Sequence, residues 1–200
     1  ILGILRKEEY GCLPDMGDVQ INIRVAAVRQ GGKIMNGRAV RKTVEVEAIR
    51  GDRNFIFTFE VFIPANADKP VPAFVEICNR GTMNCDPARE FYSSFYPAET
   101  IISRGYACAV FRTQEVAPDY EEGFSIGFHR LFPEYQDSRP DDAWGTITVW
   151  ALAASRVMDY FETEPLIDEK RAAVVGHSRG GKTALWCGAQ DERFAMAVSS

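Results

Sequence analysis

Residues 176–183 read GHSRGGKT, and this short segment satisfies two patterns known from enzymes. In the pattern Gly-x-Ser-x-Gly, Ser178 lies on a sharp turn between a strand and a helix, where its hydroxyl is exposed for nucleophilic attack. In the pattern Gly-x-x-x-x-Gly-Lys-Thr, backbone N–H groups and Lys182 bind nucleotide phosphates while Thr183 binds magnesium. The elements around the motif are expected to decide between these two chemistries.

Both patterns need a strand before the motif and a helix after it. Residues 171–175 form a short apolar run that predicts the strand, and residues 182–189 contain good helix formers. The residues of this helix predicted to face the core are Leu185, Trp186 and Ala189. A phosphate loop commonly follows an early strand and has a partner strand that ends in Asp, and the sequence offers neither. The context favours a serine hydrolase, with a phosphate loop or a glycine turn without chemistry as alternatives.

Donors for a developing oxyanion are predicted on both sides of Ser178. The backbone N–H of Arg179 lies close to the positive end of the motif helix, and its guanidinium is suited to the same charge. The second donor is expected from the loop that follows the apolar strand 73–78. The candidates in this loop are Asn79, Arg80 and Gly81.

Lys182 follows Ser178 by four residues, on the same side of the first helical turn. Its ammonium is predicted to contact a carboxylate or hydroxyl of the substrate, with pairing to a local acid as the alternative. His177 is predicted to pack and form hydrogen bonds beneath the turn, because neighbouring side chains at a sharp turn point apart. His129 is predicted to be a loop or rim residue, since it precedes Ser178 while the chain order of this triad is Ser, acid, His.

A general base for Ser178 is not evident within the sequence. No histidine follows Ser178, and the only later acids, Asp191 and Glu192, fall at the expected end of the motif helix. We expect the catalytic acid and histidine to lie outside these residues, so that the C-terminal part of the fold is missing and this piece alone is inactive. A non-catalytic relative is the alternative.

The chain has enough residues for a single domain, 1–200, with three parts. Residues 1–37 form a weakly patterned extension, residues 38–64 an antiparallel hairpin, and residues 73–200 a parallel α/β part. In the third part, apolar strands at 73–78, 106–111, 171–175 and 194–198 alternate with helices at 98–104, 143–162 and 182–189. Asp141 and Asp142 suit the N-terminus of the second helix. A polar segment, 112–142, is expected to be a functional loop or lid.

The composition is that of a globular protein, with 46% hydrophobic and 26% charged residues. A net charge of −5 without a basic stripe argues against nucleic acid as a partner, and no apolar stretch reaches the ~20 residues of a membrane helix. The five cysteines show no CxxC pair and no nearby histidine, so no metal site is expected. Free thiols favour a reducing compartment such as a bacterial cytoplasm, with a Cys78–Cys85 disulfide as the alternative in an exported protein.

The sequence resembles the glucuronoyl esterases, a family of carbohydrate esterases, and most of all their bacterial branch, whose members are often labelled acetylxylan esterases. The resemblance is carried by residues 144–200, WGTITVWALAASRVMDYFETEPLIDEKRAAVVGHSRGGKTALWCGAQDERFAMAVSS. It extends through GRAVRKTVEVEA and PAFVEICNRG, and so covers about residues 38–200. The signature Gly-x-Ser-Arg-x-Gly-Lys is far more specific than Gly-x-Ser-x-Gly alone.

This resemblance implies an α/β-hydrolase fold, a three-layer sandwich whose mostly parallel sheet begins with an antiparallel hairpin. It implies cleavage of the ester between glucuronic acid on xylan and lignin alcohols, by a serine triad without metal or cofactor. Ser178 would be the nucleophile, Arg179 would help to form the oxyanion hole, and Lys182 would contact the sugar. The expected partner is a carbohydrate ester, glucuronoyl or acetyl-xylan, and neither nucleic acid nor membrane.

Overall fold

The computed structural model describes residues 1–32, 34–136 and 138–200, and the strands form one seven-stranded sheet. The strands are β1 (Gln20–Arg29), β2 (Ala39–Arg50), β3 (Arg53–Pro64), β4 (Val71–Cys78), β5 (Ala107–Arg112), β6 (Ile167–Gly176) and β7 (Met196–Ser199). Their order across the sheet is β1-β2-β3-β5-β4-β6-β7. The pairings from β1 to β5 are antiparallel and those from β5 to β7 are parallel.

The helices of the described residues are α1 (Leu2–Leu5), α2 (Ala98–Ser103), α3 (Thr113–Val116), α4 (Thr146–Phe161) and α5 (Arg179–Gln190). Shorter turns complete them: a π-helical turn at Arg6–Tyr10 and 3₁₀ turns at Met35–Gly37, Thr82–Cys85, Glu121–Ser125, Phe128–Leu131 and Pro133–Tyr135. None of the helices in this part of the chain combines the length and apolar character needed to cross a bilayer.

The predicted hairpin is formed by β2 and β3, which turn at Gly51 in a left-handed conformation, φ +58°. Alternate residues of β3 are buried on one face, as the sequence pattern predicts: Phe55, Phe57, Phe59, Val61 and Ile63. Strand β1, within the N-terminal extension, pairs with β2 and was not predicted. None of its residues is fully buried. Ile21, Ile23 and Val25 alternate with polar residues, but the alternation is short and ends where the register shifts between Val25 and Ala27.

Both faces of the sheet are covered, which gives the expected three-layer α/β arrangement. The larger core lies between one face and α4, where Trp150, Val157 and Phe161 are buried. The smaller core lies on the other face, where Ile102 of α2 packs with Phe62 of β3. The parallel strands β4 and β6 place Ile77 opposite Gly176, so the loops after these two strands meet at one edge of the sheet.

The segment predicted to be a polar functional loop or lid, of which residues 112–136 and 138–142 are described, contains more regular structure than its polar sequence suggests. It contains α3 and three 3₁₀ turns. Phe128, Leu131 and Phe132 are buried within the larger core, so that much of the segment is a packed part of the protein. Phe128 and Phe132 therefore serve the core, because they pack between Phe55 of the hairpin and Trp144, just before α4.

Two helix predictions need correction. Helix α4 begins at Thr146, so Asp141 and Asp142 precede it and its first turn contains no acid. In α5, Trp186 is buried as predicted, whereas Leu185 is 51% exposed and Ala189 is exposed. The buried stripe of α5 consists instead of small residues that allow close approach to the sheet and α4: Gly180, Thr183, Ala184 and Cys187. All five cysteines are free thiols in this structure.

Candidate active site

Ser178 lies at the turn between β6 and α5, where only His177 and Ser178 separate the strand from the helix. Its backbone has φ +57° and ψ −122°, a conformation that L residues seldom adopt. The residue is exposed to solvent. This combination of strand, strained residue and helix is the geometry that a nucleophile elbow requires.

The glycines of the motif permit this turn because a side chain at these positions would collide with neighbouring atoms. A Cβ at Gly176 would lie 2.2 Å from the carbonyl oxygen of Gly180. A Cβ at Gly181 would lie 2.6 Å from Oγ of Ser199. The turn is therefore closed so tightly that Gly176, which faces backbone, cannot be replaced without moving the chain.

The loop after β4 lies directly against this turn, as predicted. The side-chain amide of Asn79 donates from Nδ2 to the carbonyl oxygen of His177 over 3.0 Å. At the base of the loop, Oγ1 of Thr113 donates to the carbonyl oxygen of Cys78 over 3.3 Å. Because Arg179 is the first residue of α5, its backbone N–H has no acceptor within the helix. The two predicted sources of oxyanion donors thus lie on either side of Ser178.

The side chains of Asn79 and Arg80, in the loop after β4, already contact other residues. The side-chain amide of Asn79 uses one of its two N–H donors to tie the loop to the turn. The Arg80 guanidinium lies 5.6 Å from the centre of the Phe95 ring, a cation–π distance. Phe95 in turn meets the His177 ring edge-on at 6.3 Å. Gly81 accepts a backbone hydrogen bond from Asn84 over 3.0 Å, which begins the following 3₁₀ turn.

Both cationic side chains of the motif are paired with acids. The Arg179 guanidinium forms an ion pair with Asp119, in the segment between β5 and α4. Lys182 Nζ lies 2.6 Å from Oε1 of Glu9, in the π-helical turn near the N-terminus. This hydrogen bond and the negative charge of Glu9 raise the pKa of Lys182. Pairing of Lys182 with an acid is therefore present, although the partner is distant in sequence.

Neither His129 nor His177, both within the described residues, forms a hydrogen bond to Ser178 through its ring. The ring of His177 is half-buried beneath the turn, where Nδ1 lies 3.2 Å from Oγ of Ser200. His129 is buried, which corrects its predicted place in the rim: it packs between Phe124 and Trp144 at 4.6 Å from each ring. Burial, reinforced by the charge of Arg139, lowers the pKa of His129 to about 3, so it is neutral at physiological pH.

The contacts of the motif do not favour the phosphate-loop alternative. Lys182 is bound to Glu9, and the buried Thr183 donates from Oγ1 to the carbonyl oxygen of Arg179 over 2.8 Å. These two side chains would have to bind phosphate and magnesium. In the described part of the chain, no group of three or more His, Cys, Asp and Glu residues is arranged to hold a metal ion.

Asp119 and Glu9 were missed by reasoning from the sequence. Asp119 lies 60 positions before Arg179 and Glu9 lies 173 before Lys182, so no local spacing links either acid to its cation. The only sequence signal was that the motif carries two cations while the segment containing Asp119 is polar. The pairing of each cation with its acid is visible only in the tertiary structure.

Comparison with known proteins identifies the family. The profile described as "Glucuronyl esterase, fungi" matches residues 46–200. The protein named carbohydrate esterase MZ0003, from an unknown prokaryotic organism, is 29% identical over 96% of this chain and 50% of its own length. A 4-O-methyl-glucuronoyl methylesterase of Podospora anserina is 26% identical over 78% of this chain and 29% of its own length.

A solved structure of a glucuronoyl esterase from Solibacter usitatus superposes with a TM-score of 0.83 at 29% identity. The match covers 96% of this chain and 54% of that one. This similarity confirms the predicted α/β-hydrolase fold class. The chain spans about half the length of the relatives that match nearly all of it. Since the family profile covers more than half of its residues, the chain belongs to the glucuronyl esterase family.

Proposed function

We propose that the protein is a serine carboxylic-ester hydrolase that cleaves glucuronoyl esters of plant cell-wall polysaccharides. The observation that carries this proposal is the exposed Ser178, held at φ +57° on the turn between β6 and α5. The names of relatives add the substrate class, since those with a 4-O-methyl-glucuronoyl methylesterase name act on methyl esters of that uronic acid.

In the proposed mechanism, Oγ of Ser178 attacks the ester carbonyl carbon while its proton passes to a histidine. That histidine is expected from the additional length that the relatives possess, because the rings of His129 and His177 are not hydrogen-bonded to Ser178. The alcohol leaves with the proton, and water then attacks the acyl-enzyme to release the uronic acid. The tetrahedral oxyanion accepts hydrogen bonds from the backbone N–H of Arg179 and from the loop containing Asn79, Arg80 and Gly81.

Two side chains of the motif have supporting roles in this proposal. The guanidinium of Arg179 adds positive charge next to the oxyanion. Lys182 lies one helical turn after Ser178, at the surface, and contacts hydroxyl groups of the sugar. Its ammonium is held by Glu9 over 2.6 Å, which orients the cation while leaving further N–H donors for a ligand.

The test uses the full-length protein and two substrates, benzyl glucuronate and acetylated xylan. We expect kcat/KM to be higher for the uronate ester, and Ser178→Ala to lower it by about 10³-fold or more. The control is Ser103→Ala, which removes another exposed serine hydroxyl, at the end of α2. Turnover that survives in Ser178→Ala would contradict the mechanism.

Acetylated xylan distinguishes a second candidate substrate, because the resemblance to the bacterial branch allows an acetyl ester. A higher kcat/KM for acetylated xylan would retain Ser178 as the nucleophile and change the substrate. A fluorophosphonate probe that fails to label Ser178 in the full-length protein would instead favour a non-catalytic relative.

A further inference from the structure

The ion pair between Arg179 and Asp119 joins the motif to a segment distant in sequence. Nη1 of Arg179 contacts Oδ2 of Asp119. The Arg179 side chain is 61% exposed, whereas the Asp119 side chain is only 25% exposed. An exposed arginine explores many rotamers, so the more buried carboxylate is the partner that can limit them.

The backbone next to Asp119 is fixed by close packing on both sides. Before it, Ala117 is fully buried and its carbonyl oxygen accepts a hydrogen bond from Nε1 of Trp150 over 2.8 Å. After it, Gly123 approaches so closely that a Cβ there would lie 2.3 Å from the carbonyl oxygen of Pro118. Asp119 is therefore presented to Arg179 from a position that is anchored to α4 and to its own loop.

We propose that Asp119 is a positioning residue, which holds the Arg179 guanidinium beside Ser178 so that its remaining N–H donors face the oxyanion. This inference rests on the proposed function. The guanidinium has five donors in a rigid fork, so one carboxylate contact leaves others available and sets their direction. A donor that is already oriented stabilises the transition state without first losing rotational freedom.

The test compares Asp119→Asn with wild type in the full-length protein, using benzyl glucuronate. Asparagine keeps the size of the side chain and removes its charge, so the ion pair that holds Arg179 is lost. We expect kcat to fall by about 10- to 100-fold with little change in KM, since the guanidinium acts on the developing charge and not on the bound ester. Asp119→Glu, which keeps the charge, is expected to recover most of kcat.

Asp168→Asn is the matched control. Asp168 also pairs with an exposed arginine, Arg171, over 2.6 Å, and its side chain is 27% exposed. It lies at the other end of β6 from Ser178, so its removal is expected to leave kcat and KM unchanged. Each variant should keep the Tm of wild type within a few degrees, because an ion pair whose arginine is largely exposed contributes little to stability.

A double variant tests whether Asp119 acts through Arg179. In an Arg179→Ala background, Asp119→Asn is expected to cause no further loss of kcat. A wild-type or raised kcat in Asp119→Asn, an equal loss in Asp119→Glu, or a full additional loss in the Arg179→Ala background would each overturn the inference. In all three cases turnover would still depend on Ser178, whereas turnover in Ser178→Ala would overturn the proposed function itself.

Discussion

At the scale of single residues, the strained backbone of Ser178 is sustained by what surrounds it. A residue with φ +57° and ψ −122° is unfavourable by itself, at an order of 1–3 kcal/mol. The strand before Ser178 and the helix after it hold the turn in place from both sides. Ser178 also donates its N–H to the carbonyl oxygen of Ser200 over 2.7 Å. These contacts keep the strained conformation in the folded protein, and that conformation leaves the Ser178 hydroxyl exposed.

Gly176→Ala is expected to damage this turn. The added methyl group would lie 2.2 Å from the carbonyl oxygen of Gly180, a distance that forces the backbone to move. We expect a loss of about 1–3 kcal/mol in the free energy of unfolding, measured by urea denaturation, together with a large fall in esterase kcat. Gly3→Ala is the control, because nothing lies within 4 Å of a Cβ there. Equal stability of the two variants would contradict this account of the turn.

At the scale of elements, strand β4 carries an acid inside the sheet. Glu76 is only 8% exposed and lies between β5 and β6, opposite Val110 and Val175. Burial, with a smaller contribution from the Cys78 thiol, raises the pKa of Glu76 from its usual 4.5 to about 9. Glu76 is therefore protonated in the folded protein at neutral pH, while it ionises in the unfolded chain.

This difference makes the stability depend on pH. Between pH 4.5 and 9 the unfolded chain binds fewer protons at Glu76 than the folded protein, so the free energy of unfolding falls as the pH rises. At ~1.4 kcal/mol per pH unit, the loss between pH 4.5 and pH 7 is about 3 kcal/mol. We expect Glu76→Gln to remove this loss, so that its stability relative to wild type rises over the same interval.

Urea unfolding of both proteins at several pH values tests this prediction. Glu192→Gln, at an exposed position after α5, is the control and should follow the wild-type pH dependence. Parallel stability curves for Glu76→Gln and wild type would show that Glu76 is ionised in the folded state.

At the scale of the whole molecule, one partly buried ion pair joins the antiparallel part to the helical layer. Lys42 of β2 lies 2.6 Å from Oε2 of Glu164, which follows α4, and the hydroxyl of Tyr160 donates to the same oxygen over 2.6 Å. Burial opposes the ionisation of Glu164, but the hydrogen bonds from Lys42 and Tyr160 outweigh it and lower its pKa. The contact joins residues 122 positions apart.

Lys42→Met is expected to leave Glu164 charged and unpaired in a largely buried place. We expect the free energy of unfolding at pH 7 to fall by about 2–3 kcal/mol, which is below the range for fully buried pairs because Lys42 is partly exposed. The penalty should shrink as the pH falls below the usual pKa of a carboxyl, since a protonated Glu164 needs no cation.

Chemical denaturation of a second variant and a control completes this test. Lys42→Met combined with Glu164→Gln should recover part of the lost stability, because no unpaired charge remains. Lys69→Met, at an exposed position before β4, should match wild type. A similar loss in Lys69→Met would attribute the effect to surface charge in general.

Much of the fold followed from the sequence, because it depends on local patterns that burial enforces. The alternation in β3 and the apolar runs of β4, β5 and β6 predicted strands that the structure confirms. Strand β1 was missed although Ile21, Ile23 and Val25 alternate with polar residues, because this alternation covers only six residues before the irregularity at Val25–Ala27. The start of α4 was misplaced, because Asp141 and Asp142 resemble helix-capping residues while the helix begins after Gly145.

The sequence by itself determined the motif at Ser178, its placement between a strand and a helix, and the family to which the chain belongs. These properties depend on residues that are neighbours along the chain. Only the tertiary structure decided that Arg179 pairs with Asp119, that Lys182 pairs with Glu9, and that His129 is buried. Contacts between distant segments have no local spacing, because they arise when the sheet and the segments around it pack together.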